Sequence, residues 1–184
     1  ARCAVEDYGI PPDFFDPAGK VNGAATAQGE AHNDSYAKHL QHLGEPFEML
    51  DASAMHALTG SRHYRSGLYT PGTVMLQPAG YVRGLATGLA KQAQVYDRSP
   101  VLTFKRSGPD WVLKTPKGAV TAANVILAVN GHLESFGIAK GRLVQLFLFA
   151  SMTETLDPAT AQGAPRWGVT PSDPMGTTMR QITD

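Results

Sequence analysis

A single cysteine, Cys3, is the first thing that limits what this chain can do. With no second thiol to pair with, neither a disulfide framework nor a multi-cysteine zinc site can form within the chain, and a reducing cytoplasm suits it. Excess charge is missing as well. Sixteen basic residues balance sixteen acidic ones with no long run of either sign, which removes the electrostatic basis for nonspecific binding to nucleic acid or anionic membranes. Long apolar runs are also absent: Leu146 to Ala150 is as long as any becomes, far short of the roughly 18 to 20 residues a membrane span requires.

The familiar chemical signatures are missing too. No GxGxxG dinucleotide fingerprint, GxxxxGK phosphate loop or HExxH zinc motif occurs, and no serine lies in GxSxG. His39 and His42 could share a helix face, but no third ligand has usable spacing, so solvated surface histidine is the simpler reading and no metal site is expected. Cys3 would need a histidine folded against it to act as a nucleophile. The start has neither an initiator Met nor a secretory pattern, and the end has no stop signal, so both ends read as cuts through a longer chain.

What is present describes a globular chain. At 184 residues with 42% hydrophobic and 17% charged side chains, it can bury roughly two thirds to 70% of its unfolded surface. Residues 1–25 are rich in turn formers and read as loop with one strand at Lys20 to Ala24. Ala37, Leu40 and Leu43 recur at helical spacing and predict a helix from Glu30 to Leu43, stopped by Gly44 and Pro46. A brief strand at Phe47 to Leu50 precedes a second, short helix with Asp51 as its N-cap. Residues 64–76 mix glycine and proline with aromatic and β-branched residues, which predicts irregular extended chain.

Pro78 opens a helix running to Ala93, along which Tyr81, Leu85 and Leu89 recur every four residues. Gly80, Gly84 and Gly88 keep the same interval. Each interior glycine costs about 0.5 to 1 kcal/mol relative to alanine, so close backbone packing is expected, against a sheet or a cofactor. Residues 94–130 read as a run of strands with a meander through Trp111 and a Lys117-Gly118 turn. Val125 to Val129 shows no alternation, as in a strand covered on both sides. Arg142 to Thr155 predicts a long strand, residues 157–176 a loop, and Thr177 to Thr183 a last strand.

The order of these elements carries a resemblance. The helix from Pro78, Ser99-Pro100-Val101, the meander with Trp111-Val112-Leu113-Lys114-Thr115 and Gly118, and the stretch ending Ala128-Val129-Asn130-Gly131 together resemble the middle of the flavoproteins of the D-amino-acid oxidase type. The likeness is strongest to the bacterial branch that includes gamma-glutamylputrescine oxidase, covers residues 64–133 well, and extends more weakly over residues 8–60, 142–156 and 179–184.

That resemblance implies an α+β chain: a mixed, largely antiparallel sheet with helices forming a substrate domain, plus remnant strands of an FAD-binding α/β domain. It implies substrate-domain parts at 1–93 and 138–184 and a flavin-domain part at 94–137. It implies FAD as cofactor of the full-length parent and oxidation of the C–N bond of a small amine or amino acid, the fragment alone being inactive. Val101 would offer its backbone to the adenine ring, and Ala128, Val129, Asn130 and Gly131 would pass near the ADP half. As ordinary residues, Val101 is a strand valine and Gly131 a turn glycine. Arg180 is the candidate for a substrate carboxylate or, more plainly, a surface charge. Self-association through exposed sheet edges is a further expectation, and a stand-alone, non-catalytic binding module or a subunit that borrows its dinucleotide site from a partner is the rival reading.

Overall fold

The computed structural model describes residues 1–182, in two compact units: residues 1–94 with 154–184, and residues 95–153. In chain order the elements are α1 (Arg2–Tyr8), a 3-10 turn (Pro12–Phe14), β1 (Phe15–Asp16), β2 (Lys20–Ala24), α2 (Ala27–Leu43), β3 (Glu48–Asp51), α3 (Ala52–Thr59), β4 (Ser66–Thr70), β5 (Met75–Leu76) and α4 (Pro78–Leu89). There follow β6 (Thr103–Ser107), β7 (Asp110–Thr115), β8 (Gly118–Ala122), a second 3-10 segment (Asn130–Phe136), β9 (Trp167–Pro171) and β10 (Met179–Gln181).

The larger unit is built on a five-stranded sheet ordered β10-β9-β2-β4-β3, antiparallel except where β2 runs parallel to β9. Alternation along the strands divides its faces. Val21, Gly23, Gly67, Tyr69, Trp167, Val169 and Met179 share one face. There Val21, Met55, Tyr64, Trp167 and Val169 form the buried cluster, with Leu50 and Leu58 against it, so α3 covers this side. The opposite face meets α2, whose Asn33 is buried and donates to the Asn22 carbonyl at 2.9 Å.

The helices start where their caps predict. Thr26, Asp51 and Gln77 each accept a hydrogen bond from a first-turn amide, at Gly29, Ala54 and Gly80, and α2 and α3 end at Gly44 and Gly60, both in the left-handed conformation. Helix α2 begins earlier than its periodicity indicated, and Leu43, expected on its apolar stripe, is 62% exposed. The glycine interval of α4 does mark close packing, but the partner is neither sheet nor cofactor. A Cβ at Gly80 would lie 2.6 Å from the Phe14 ring, one at Gly84 3.1 Å from Ile10, and one at Gly88 2.9 Å from the Tyr8 carbonyl. The segment from α1 to the 3-10 turn lies against this helix.

Four expectations are overturned in this unit. Residues 1–25 contain α1, and residues 64–76 contain β4, which lies inside the sheet rather than in irregular chain. Residues 157–176 contain β9, a central strand, because Trp167 and Val169 alternate with Gly168 and Thr170 between two neighbours. Helix α4 ends at Leu89 rather than Ala93. The last strand forms over Met179–Gln181; Thr183, at the end of its expected range, lies outside the described residues.

Tyr64 supplies a pH test of this core. It is 7% exposed, its phenol donates to the Met179 sulfur at 3.9 Å, and burial pushes its pKa above the ordinary value of 10. The unfolded chain therefore ionises first. Stability from this group is full below about pH 10 and is lost as pH rises through the folded value. Tyr64→Phe is expected to blunt the alkaline loss, read as urea midpoints at neutral and alkaline pH; parallel losses in both proteins would contradict the assignment.

The smaller unit is the expected meander. Antiparallel β6-β7-β8 places Phe104 opposite Leu113 and Arg106 opposite Trp111. Phe104 stacks on Trp111 with ring centroids 5.4 Å apart, Phe136 lies 5.7 Å from Phe104, and the Arg106 guanidinium sits 5.4 Å over the indole. The remaining expectations here fail. Residues 94–97 form no strand, and Val125–Val129, expected to be a strand covered on both sides, is unpaired, with Ile126 91% exposed. Arg142–Thr155 likewise forms no strand, and Phe149 is fully exposed at 100%. A two-faced apolar strand needs neighbours on both edges and layers on both faces. The meander closes its own ladder and supplies neither.

Candidate functional site

Strand register brings together a set of side chains on the α2 face of the sheet. Lys20 pairs with Thr70, Arg180 pairs with Gly168, and the Val21–Val169 pairing sets Lys20 beside Gly168. Thr70, Lys20, Gly168 and Arg180 thus form one row across four adjacent strands. Glycine leaves the row open at its third position. A Cβ there would meet the Met75 sulfur at 3.0 Å, and the space forms a hollow of about 160 Å³ bordered by Lys20, Thr73, Met75, Gly168, Thr178 and Arg180.

Among the described residues no acidic side chain pairs with the charges at this hollow. The Arg180 Nη1 donates to the Leu76 carbonyl at 3.1 Å, which anchors the guanidinium while leaving most of its donors available. Among the described residues neither Arg180 nor Lys20 has an ion-pair partner; the acidic partners present serve His32, Arg65, Arg98 and Arg166. Two cations with nearby threonine hydroxyls suit an anionic group, a carboxylate above all.

A larger hollow of about 390 Å³ opens on the other face, bordered by Leu50, Ala54, Leu58, Tyr69 and Trp167. Lys20 borders it too, so of its two cations only Arg166 has an acidic partner among the described residues. Arg166 meets Asp16 at 2.7 Å, and the Tyr69 phenol donates to the Ala18 carbonyl at 3.1 Å. Of the two hollows, the smaller is bordered by two cations without an acidic partner among the described residues, which suits it to an anion.

Of the residues expected to act, Arg180 lies at that hollow in the larger unit, while Val101, Ala128, Val129, Asn130 and Gly131 all belong to the smaller unit. Val101 precedes β6, with Leu102 donating to the Lys114 carbonyl at 2.8 Å. Asn130 has φ 50°, a left-handed conformation that asparagine tolerates, and starts the 3-10 segment. The Gly131 carbonyl accepts from Gln145 Nε2 at 3.0 Å, and a Cβ at Gly131 would meet nothing closer than 3.6 Å. Close approach of backbone to a ligand is sterically open at this glycine.

A pyrophosphate needs a glycine-rich turn and a free helix N-terminus. Among the described residues the three helices of eight or more residues have first-turn amides already accepted by Thr26, Asp51 and Gln77. Thr26 in turn donates to the Asp173 carboxylate at 2.7 Å, and Asp51 is itself acidic, so both positions repel phosphate. Two of these three helix starts therefore carry an acidic group where a phosphate would bind.

Sequence reasoning missed Lys20, Gly168 and Thr178. Their relation rests on a parallel pairing between strands near opposite ends of the chain, and the only local signal was the alternation around Gly168.

Comparison with known proteins agrees with this architecture. Residues 2–184 match the family described as FAD dependent oxidoreductase, DAO. The probable oxidoreductase OrdL of Haemophilus influenzae is 29% identical over 182 residues, covering 92% of this chain and 41% of that protein. L-proline dehydrogenase from P. horikoshii superposes with a TM-score of 0.62 at 15% identity, over 74% of this chain and 38% of its own. Glycine oxidase from Geobacillus kaustophilus gives 0.56 at 22% identity, over 70% and 35%. This chain belongs to the DAO family of FAD-dependent oxidoreductases. It spans about two fifths or less of the length of these relatives. The mixed α+β fold with its largely antiparallel sheet is that of the family's solved members, and no helix among the described residues is long and apolar enough to cross a membrane.

Proposed function

We propose that the whole protein oxidises the C–N bond of an amine or amino acid, amino acids being favoured, and that the larger unit forms the substrate side of the site. The observation that carries this reading is the hollow at Arg180, where cationic side chains meet with no acidic partner among the described residues. Arg180 holds the substrate carboxylate there, and its bond to the Leu76 carbonyl fixes the guanidinium so that the bound molecule is oriented. The relatives support the class: the names glycine oxidase and L-proline dehydrogenase both denote enzymes acting on amino acids.

FAD, when bound, supplies the acceptor for the electrons leaving the substrate carbon. In this reading Val101 and Ala128 to Gly131 border its adenosine half, the region 94–137 belongs to the flavin domain, and the parts 1–93 and 138–184 belong to the substrate domain. The pyrophosphate grip and the covers for Val125–Val129 and Leu143–Phe149 come from the rest of the family's length. Leu143–Phe149 is largely exposed in this chain and Val125–Val129 only partly buried, with Ile126 exposed, and the chain alone is inactive. A reducing cytoplasm suits its lone exposed thiol.

The test is anaerobic mixing of the whole flavin-loaded protein with amino acids and amines, following loss of the flavin's visible absorbance. Amino acids are expected to bleach it. Arg180→Gln should raise the half-saturating concentration by about tenfold, the cost of a charged hydrogen-bond partner. Bleaching by neither substrate class would end the proposal.

A further inference from the structure

The hollow contains a second cation that a simple monocarboxylate would not require. We propose that Lys20 is a specificity-determining residue, selecting substrates that carry another anionic group besides the carboxylate held by Arg180, such as amino dicarboxylates. This inference rests on the reading of Arg180 given above.

Geometry separates the two charges. Lys20 and Arg180 stand on β2 and β10 with β9 between them, so their backbones lie roughly 10 Å apart at two strand spacings. Gly168 stands between them without a side chain of its own, and the Met75 side chain borders the space over it. Arg180 is anchored on its own side by the Leu76 carbonyl. A carboxylate held there leaves Lys20 facing the remainder of the hollow.

Volume points the same way. About 160 Å³ equals roughly five water-sized volumes, room for a short carbon chain beyond one carboxylate. Among the described residues the Lys20 ammonium has no acidic partner, and a second anionic group would supply one. A neutral group of the same shape would accept hydrogen bonds from Lys20 but bring no opposite charge. The preference should therefore follow charge rather than size.

Glutarate and its monoamide differ by one charge at nearly constant shape, and both lack the amine that would be oxidised. Their binding to the whole protein can be measured by calorimetry and by the amide shift of Gly168, independently of turnover. Glutarate is expected to bind about tenfold more tightly than the monoamide. Lys20→Gln should collapse that ratio toward one, Lys20→Arg should retain it, and circular dichroism of each variant reports whether the fold is kept.

Equal binding of the two ligands by the unaltered chain would overturn the role of Lys20, as would a ratio that survives in Lys20→Gln. Arg180→Gln should weaken both ligands. If it weakens neither while the ratio still depends on Lys20, the carboxylate role of Arg180 fails and the second cation stands. Loss of the ratio with Arg180 still required would instead remove only the inference about Lys20. Binding of neither ligand overturns both.

Discussion

Met55→Ala is expected to cost about 2 to 5 kcal/mol of folding free energy, the usual range for truncating a fully buried long side chain. Met55 is completely buried on α3, at the centre of the cluster formed with Val21, Tyr64, Trp167 and Val169. Its thioether occupies the space left by Gly67, where a Cβ would overlap the Met55 sulfur and approach Val21 to 2.8 Å. Removing the side chain empties this contact, and strands hydrogen-bonded on both sides have little freedom to collapse into it. The chain has two tryptophans, Trp111 in the smaller unit and Trp167 in the larger. Urea unfolding in a Trp111→Phe background therefore reports the larger unit through Trp167. A loss under about 1 kcal/mol would show that this cluster is not the centre of stability.

The opposite change should also destabilise the sheet. Gly23 and Gly67 face each other across β2 and β4, and a Cβ at Gly23 would lie 2.6 Å from Val169 and 2.7 Å from the Tyr64 ring. Gly23→Val adds volume between two buried neighbours, so overpacking of about 1 to 3 kcal/mol or more is expected. Gly118→Val is the control, because a Cβ there meets nothing within 4 Å and an exposed strand edge accepts a β-branched residue. Thermal unfolding of both variants decides it. Comparable shifts would mean that the glycine pair does not set the spacing between the sheet and α3.

Local signals foretold local structure well. Thr26 was not singled out as a cap, but Asp51 and Pro78 both act where their chemistry places them, because capping depends on residues within one turn. The four-residue glycine interval of α4 correctly demanded close packing. Its partner was hidden because α1 buries no residue fully and so shows no apolar stripe. Strand β9 was obscured by Pro165, Pro171 and Pro174, which read as loop residues. Pro171 is tolerated at the end of a strand whose interior is held by β2 and β10.

The site divides along the same line. Arg180 stood out as a lone cation near a predicted strand, whereas Lys20 and Gly168 join it only through register across β2, β9 and β10. The unalternating run at Val125–Val129 misled for a related reason. Apolar periodicity states how many faces a strand must bury, and it does not supply the layers that bury them.

The parallel seam joining Val21–Gly23 to Val169–Pro171 also sets an order of assembly. The β3-β4-β2 part can close from residues within the first 70, at small loop-closure cost, whereas the final two strands must return from nearly the whole chain away. During synthesis β2 therefore waits with one edge bare until Trp167–Pro171 emerges, and that interval is when the nascent chain is most prone to pair with a neighbour instead of with itself.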